Sequence, residues 1–254
     1  MNEALKITPE EKRNQIVMTR SGKKKKGVSS EVYAFKSKKE ISEMIRVFNK
    51  RIEESLPRSR WIPERDKLLF IVGINIGLRV SDLCSIRWDF FFDESGNFRD
   101  SYTIQPKKTR AKGKFVTLFF NAAIKNAVES YVENFPIVSY DDYVFKSREG
   151  NSHIKETSLY RIVKSAAKEA GIKQNIGSHS LRKTFGYHVW HEAKNPEKAL
   201  VLLQRAFNHS STVVTLEYIG IQFTLSSFPT LIVSPLHIIV QSGRILHKYF
   251  WFSS

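Results

Sequence analysis

Five side chains that could act on a phosphodiester follow one another in a defined order along this chain. They are Arg79, His179, Arg182, His209 and Tyr218. Arginine offers a planar, permanently charged fork that matches phosphate oxygens, and tyrosine offers an oxygen nucleophile that can hold a covalent intermediate. Because a free phenol has a pKa of about 10, Tyr218 needs nearby arginines and a histidine that takes its proton. The set therefore predicts chemistry on a phosphodiester.

The charge of the chain favours a polyanionic partner. Lys and Arg number 41 against 25 Asp and Glu, which gives a net charge of +16. Nucleic acid is the favoured partner, an anionic membrane surface is the rival, and a basic protein without such a partner is the third alternative. The single cysteine, Cys84, excludes an intrachain disulfide and suits a reducing compartment, so we expect a cytoplasmic location.

The sequence contains neither a signal for a membrane span nor one for a metal site. No run of about 20 apolar residues could cross a bilayer, and no Cys/His cluster has zinc spacing. His188 and His191 lie three positions apart, but no carboxylate-rich set accompanies them. We interpret them as packing or phosphate-contacting residues, and we expect no membrane attachment, no metal and no cofactor.

Hydrophobic periodicity predicts a mainly α fold with a small antiparallel sheet. A capping box of Ser37 and Glu40 opens the first helix, and two strands at 102–104 and 115–118 flank a basic turn. Further helices are expected to begin at Pro63, after a cap at Asn121, after a cap at Ser180 and at Asn195-Pro196. Another is expected to end at Gly171, and short helices are expected across 81–88 and 211–218.

Three segments make the chain resemble the tyrosine recombinases, also called the phage integrase family. They read GLRVSDLCSIRW (77–88), HSLRKTFGYHVW (179–190) and LLQRAFNHSSTVVTLEYIGI (202–221). Each is weak alone, but the ordered set with its nine-residue step from His209 to Tyr218 is specific, and it covers roughly residues 37 to 221. The resemblance implies the fold of that family's catalytic domain. It also implies cleavage and rejoining of DNA without metal or cofactor, a chemistry that type IB topoisomerases share.

The resemblance assigns roles to the ordered residues. Tyr218 would attack a scissile phosphate to form a 3′-phosphotyrosine and free a 5′-hydroxyl. Arg79 and Arg182 would clamp the non-bridging oxygens while charge builds on them. His179 and His209 would assist proton transfer and bind phosphate.

The basic turn between the predicted strands carries the remaining candidates. The resemblance implies that Lys108 protonates the leaving 5′-oxygen, with Lys107 and Lys112 as rivals for that role. The alternative is a turn that only contacts backbone phosphates, since residues 107–114 hold five Lys or Arg. The predicted DNA-binding residues are Lys107, Arg110, Lys112, Lys114 and Lys183.

Composition divides the chain into three parts. Residues 1–36 are expected to be a basic flexible arm, residues 37–221 the catalytic domain, and residues 222–254 an atypical apolar tail without Asp or Glu. We interpret the tail either as out-of-frame, non-native sequence or as a strand that pairs with a partner. Most members of the family that it resembles carry an N-terminal helical domain that embraces the far face of the DNA, and we do not expect the arm of 36 residues to complete such a clamp.

Two function classes stay open beside the recombinase. Family recombinases act as tetramers on paired sites, so the expected partners are double-stranded DNA and further copies of this chain. The rival is a DNA-binding remnant or regulator from a mobile element with little or no recombination activity. A metal-dependent nuclease is a weaker alternative, because the sequence shows no clustered carboxylates.

Overall fold

The computed structural model describes residues 31–113 and 115–221. Within these ranges the helices are α1 (Lys38–Glu53), α2 (Trp61–Ile76), α3 (Val80–Cys84), α4 (Ala122–Asn134), α5 (Glu156–Glu169), α6 (Ser178–His191), α7 (Pro196–Phe207) and α8 (Thr212–Tyr218). Strands β1 (Ser101–Ile104) and β2 (Val116–Phe119) pair antiparallel, with Ser101 opposite Phe119 and Ile104 opposite Val116. This mostly helical architecture with one small hairpin confirms the predicted fold class.

Short 3₁₀ turns connect some of these elements, at Pro57–Ser59, Trp88–Phe90 and Lys107–Lys112. None of the helices in the described part of the chain is both long and apolar enough to cross a bilayer. The predicted tail at 222–254 and the first 30 residues of the predicted arm lie outside the described residues.

Several helix starts agree with the predicted positions. Ser37 and Glu40 form the reciprocal capping box, with both backbone-to-side-chain hydrogen bonds at 3.1 Å. Asn121, Asn195 and Ser211 each accept a hydrogen bond from a backbone N–H in the first turn of the following helix. These side chains replace partners that the first N–H groups of a helix lack, so local sequence sets the boundaries of α1, α4, α7 and α8.

Helices α2 and α3 have boundaries that differ from the prediction. Helix α2 begins at Trp61, so Pro63 lies inside its first turn, where a missing N–H costs nothing. Helix α3 stops at Cys84, well short of residue 88. It stops because the chain turns to pair with a neighbouring segment, where the Trp88 N–H donates to the carbonyl of Asp142 at 3.1 Å.

The main core surrounds α2, which packs against α1, α4 and α6. The Phe70 ring lies 5.6 Å from the rings of both Phe35 and Phe48. Phe35 is fully buried, and its N–H donates to the Thr184 hydroxyl at 2.9 Å. The end of the predicted arm is therefore corrected: residues 34 and 35 belong to the core, because the apolar ring of Phe35 fills space beside α2.

A second, smaller apolar cluster joins α6, α7 and α8. Its buried members are Leu203, Phe207, Leu216 and Ile219. Helix α6 passes close to this cluster at Gly186, where a Cβ atom would lie 2.7 Å from Ile219 Cγ2. Only glycine permits that approach, so this residue fixes how closely the C-terminal helices sit against α6.

Candidate functional site

One cavity brings together the six side chains that the sequence analysis predicted to be catalytic. Its volume is about 340 Å³, and it is lined by Arg79, Lys108, His179, Arg182, His209 and Tyr218 together with Phe207 and Asn208. The two arginines are positioned by α2, α3 and α6, which pack on the main core. His209 and Tyr218 are positioned by the helices of the second cluster. The catalytic roles of the six residues stay predictions, but their convergence is a property of the fold.

The turn after α2 positions Arg79. Gly77 ends that helix with φ of 68°, and a Cβ atom there would lie 2.2 Å from the Phe185 ring. Glycine is therefore required both by the left-handed backbone and by the packing. Arg79 follows in extended conformation as the N-cap of α3, and its Nη2 donates to the Phe207 carbonyl at 3.3 Å.

Arg182 is held from two sides. Its Nη1 donates to the Gly77 carbonyl, and its guanidinium carbon lies 4.1 Å from the centroid of the Phe207 ring. The residue is 7% exposed, and this burial lowers its pKa to about 10, which leaves it charged at neutral pH. Arg79 adds a like charge nearby, so an anion in the cavity would relieve an unfavourable concentration of positive charge.

His179 and Arg182 both lie near the N-terminal end of α6. The prediction that Ser180 caps this helix is wrong, because Gly177 is the N-cap and Ser180 is the third helical residue. Its hydroxyl instead accepts from the Gly177 N–H at 3.1 Å. His179 is exposed at the cavity rim, yet partial loss of water around its imidazole lowers its pKa, and the charge of Arg182 acts in the same direction.

His209 lies just after α7, where Asn208 adopts the left-handed conformation with φ of 56°. The imidazole Nδ1 lies 3.1 Å from Thr215 Oγ1, and the ring packs edge-on against Tyr218 at 5.0 Å. Burial lowers the pKa of His209, and the charges of Arg182 and Arg79 lower it further. The imidazole is therefore neutral at pH 7 and able to accept a proton.

Tyr218 ends α8 with its ring against Phe207 and His209. Burial raises its pKa, while Arg182 and Arg79 act in the opposite direction. The phenol therefore keeps its proton at neutral pH, and the two arginines favour the phenolate once a base removes that proton.

Lys107 and Lys108 are neighbours in the hairpin turn, but their side chains have different surroundings. The backbone N–H of Lys107 donates to Asp82 Oδ1 at 3.1 Å, and its Nζ donates to the Ser81 carbonyl at 3.2 Å. Lys107 is thereby tied to α3, whereas Lys108 lines the cavity. Asp82 is buried, and its Oδ2 has no hydrogen-bond partner among the described residues. Lys114 and the side chains of Arg110 and Lys112 lie outside what the structure describes.

Lys183 differs from the hairpin lysines in its surroundings. It is 8% exposed, its Nζ lies 3.5 Å from a Glu31 carboxylate oxygen, and the same atom lies 5.4 Å from the centroid of the Tyr218 ring. In the free protein this lysine supports the ring of Tyr218. Its predicted contact with DNA stays a prediction.

Three contributors were missed or interpreted only as packing residues. Phe207 follows the apolar spacing of α7, which made it look like an ordinary core residue. Asn208 directly after that stripe is a C-cap signal that could have been recognised. Thr215 has no sequence signal, because its role depends on the tertiary contact with His209.

The remaining cysteine and histidine side chains discussed in the sequence analysis are not placed for catalysis or metal binding. Cys84 is fully buried, and burial raises the pKa of its thiol to about 12, so it is not an activated nucleophile. His188 contacts the Phe35 carbonyl at 3.0 Å through Nε2, and His191 stacks on Tyr187. Over residues 31–113 and 115–221, no group of three His, Cys, Asp or Glu side chains could hold a metal ion.

Comparison with known protein families gives a match over most of the chain. The model of the phage integrase family matches residues 37–224. The probable integrase/recombinase YoeC of Bacillus subtilis is 35% identical over 62% of this chain and 78% of its own length. The tyrosine recombinase XerA of Pyrococcus horikoshii is 26% identical over 70% of this chain and 61% of its own length.

Solved structures share the fold. A crystal structure of XerA recombinase superposes with a TM-score of 0.54 at 20% identity, covering 78% of this chain and 63% of that chain. XerH recombinase bound to palindromic difH substrate, in a post-cleavage complex, gives a TM-score of 0.54 at 19% identity over 82% of this chain and 56% of that one. The chain thus spans less than two thirds of the length of both structures.

Proposed function

We propose that this chain, which belongs to the phage integrase family, cleaves and rejoins double-stranded DNA through a covalent bond between Tyr218 and a 3′-phosphate. The family match confirms the resemblance drawn from the three sequence motifs. The observation that carries the proposal is the single cavity in which the six predicted side chains meet. It offers two guanidinium groups, two imidazoles, an ammonium group and a phenol, which suits transfer of a phosphoryl group between two oxygens.

The two arginines are proposed to bind the non-bridging phosphate oxygens. Arg182 is fixed by the Gly77 carbonyl and the Phe207 ring, so its fork is oriented before DNA arrives. As the attacking oxygen approaches, negative charge grows on the oxygens that the arginines contact. Donors that are already oriented stabilise this charge without further reorganisation, which lowers the barrier to cleavage.

The remaining groups are proposed to move protons. The Tyr218 oxygen forms a bond to phosphorus while the bond from phosphorus to the 5′-oxygen breaks. The phenolic proton passes to a neutral imidazole, for which His209 is the candidate beside the ring. Lys108 gives a proton to the 5′-oxygen as it leaves, and His179 at the rim contacts the phosphate. The same chemical steps in reverse order rejoin the strand, so no cofactor or outside energy source is needed.

The hairpin turn is proposed to contribute to DNA affinity. Lys107, Arg110, Lys112 and Lys114 would contact backbone phosphates, which agrees with the net charge of +16. We further propose that the chain acts as a tetramer on paired sites, as the family resemblance implies, and that it does so in the cytoplasm, a reducing compartment that suits its single cysteine. Mass photometry on DNA carrying two copies of a trapped site would count the subunits bound.

A covalent-trapping experiment tests the central proposal. The probe is a pool of duplexes that share one nick beside a randomised segment, incubated with the full chain in EDTA. We expect an adduct that survives denaturation in SDS, and sequencing of the trapped DNA identifies the preferred site. Binding of the pool without any adduct would support the alternative, a DNA-binding remnant.

Two variants identify the nucleophile. Tyr218→Phe removes one oxygen but keeps the ring that packs on Phe207, so we expect DNA affinity within about twofold of the original and no adduct. Tyr187→Phe is the matched control, since Tyr187 packs against the same cluster outside the cavity. An adduct formed by Tyr218→Phe would show that another residue attacks.

A further inference from the structure

Thr215 lies one helical turn before Tyr218 in α8 and is completely buried. Its Oγ1 lies 3.1 Å from Nδ1 of His209 and 3.1 Å from the carbonyl oxygen of Ser211. A single hydroxyl therefore connects the histidine of the cavity to the helix that carries Tyr218. The backbone N–H of His209 is held separately, by the Gln204 carbonyl at 3.0 Å.

The direction of the two hydrogen bonds follows from counting protons. A threonine hydroxyl carries one proton and two lone pairs, and a carbonyl oxygen can only accept. The Thr215 hydroxyl therefore donates to the Ser211 carbonyl, which is the usual bond of threonine to the residue four positions earlier in a helix. Its oxygen is then free to accept, and the partner that donates to it is an N–H at Nδ1 of His209.

The opposite arrangement fits a proton-transferring histidine less well. If the hydroxyl donated to Nδ1, that bond would be lost whenever the imidazole became protonated, because both ring nitrogens then carry hydrogens. An acceptor beside Nδ1 keeps the same bond in the neutral and the charged ring. The observed contact thus lets His209 gain and lose a proton without moving.

We propose that Thr215 is a positioning residue that holds His209 in the tautomer protonated on Nδ1 and so reserves Nε2 for proton exchange in the cavity. The inference deepens the proposed function and rests on it for the catalytic consequence. The tautomer itself is a property of the free protein. Edge-on contacts of the His209 ring with Phe207 at 5.4 Å and Tyr218 at 5.0 Å leave the ring little freedom to turn.

Nuclear magnetic resonance of the full chain with ¹⁵N-labelled histidine tests the tautomer without DNA. The chain has seven histidines, and the signals of His209 are identified by their loss in His209→Gln. Above the pKa of the ring, we expect Nδ1 to show the shift of a protonated nitrogen and Nε2 that of an unprotonated one. A neutral ring protonated on Nε2 would overturn the proposal, whatever the protein does to DNA.

Substitutions of Thr215 test the consequence for cleavage. Thr215→Val keeps the branched shape and removes the hydroxyl, so we expect the tautomer preference to be lost. We also expect single-turnover adduct formation to slow by about 10- to 100-fold, by analogy with the loss found when the partner that orients a metal-bound histidine is removed. Thr215→Ser keeps the hydroxyl and should restore both properties, while DNA affinity stays unchanged in all three proteins.

Thr184→Val is the matched control. Thr184 is also fully buried, and its hydroxyl donates to the Ser180 carbonyl at 2.7 Å in the same type of helical bond, but it contacts no histidine ring. A comparable loss of cleavage in Thr184→Val, or full activity in Thr215→Val, would overturn the positioning role. Failure of the original chain to form any adduct would refute the proposed function and leave the tautomer result standing.

Discussion

Phe207 connects the side chains proposed to bind phosphate with the one proposed to attack it. Its ring lies under the Arg182 guanidinium and against Tyr218 at 5.5 Å, and its carbonyl accepts from Arg79. Replacing Phe207 with leucine keeps an apolar side chain in the second cluster but removes the aromatic face. We expect this change to impair cleavage much more than it destabilises the protein.

The expected magnitude follows from the contacts that are lost. The exchange of one buried apolar side chain for another costs about 1 kcal/mol of unfolding free energy. The contact of a desolvated guanidinium with an aromatic face is worth about 2 kcal/mol, and Arg182 is only 7% exposed. If that contact orients Arg182 for the transition state, its loss slows cleavage by about 30-fold.

The assay compares single-turnover adduct formation on a trapped site at a temperature where both proteins are folded. Phe48→Leu is the matched control, because Phe48 is fully buried in the main core and its ring also contacts an arginine, with Arg51 at 5.8 Å. It should lose similar stability in urea and cleave at the original rate. If Phe207→Leu cleaves as fast as this control, the aromatic face does not orient Arg182 and the reasoning fails.

Three further outcomes are expected. Arg182→Lys should lose most adduct formation despite its charge, because an ammonium cannot make the planar two-bond contact, and near-normal single-turnover cleavage would contradict the assigned clamp. DNA affinity measured by fluorescence anisotropy should fall by about 10³- to 10⁵-fold between 50 and 200 mM salt if roughly 6 to 10 phosphates are contacted, and a flat response would exclude the basic surface. Cleavage should rise with pH through a pKa below 6.5, since the pKa of His209 is lowered and its neutral form is the proposed base. The stability that the half-buried neutral ring contributes is present above pH 6.5 and is lost as the pH falls toward the lowered pKa. A cleavage rate that stays constant as the pH is lowered from 7 to the acid limit of the folded protein would exclude His209 as that base.

Local sequence was sufficient to predict most helix starts. Ser37, Asn121 and Asn195 were identified because a cap acts on N–H groups two or three residues away, so its signal is contained in a few neighbouring positions. The end of α3 could not be found this way. It depends on a bridge to residues 142–144, and periodicity within 81–88 carries no information about that bridge.

The same distinction holds for the site. Its side chains were identified by type and order, because phosphoryl transfer requires a small set of chemical groups. The orientation of Arg182 was not predictable, since it depends on the carbonyl of Gly77 and the ring of Phe207, more than 100 and 20 positions away in the chain. Burial of Lys183 was also missed, because a lysine inside a basic chain resembles a surface residue until the fold brings Glu31 beside it.

The division of the apolar residues into two clusters has a consequence for hydrogen exchange. Amide protons in a small cooperative unit exchange through local openings that cost less free energy than global unfolding. Helices α7 and α8 rest on the smaller cluster of Leu203, Phe207, Leu216 and Ile219, whereas α2 lies at the centre of the main core. An opening confined to α7 and α8 would move Tyr218, the proposed nucleophile, and the supporting ring of Phe207 away from Arg182, while the helix that leads to Arg79 stays closed. The free energy of that local opening would then set how often the side chains of the cavity are assembled for the proposed chemistry.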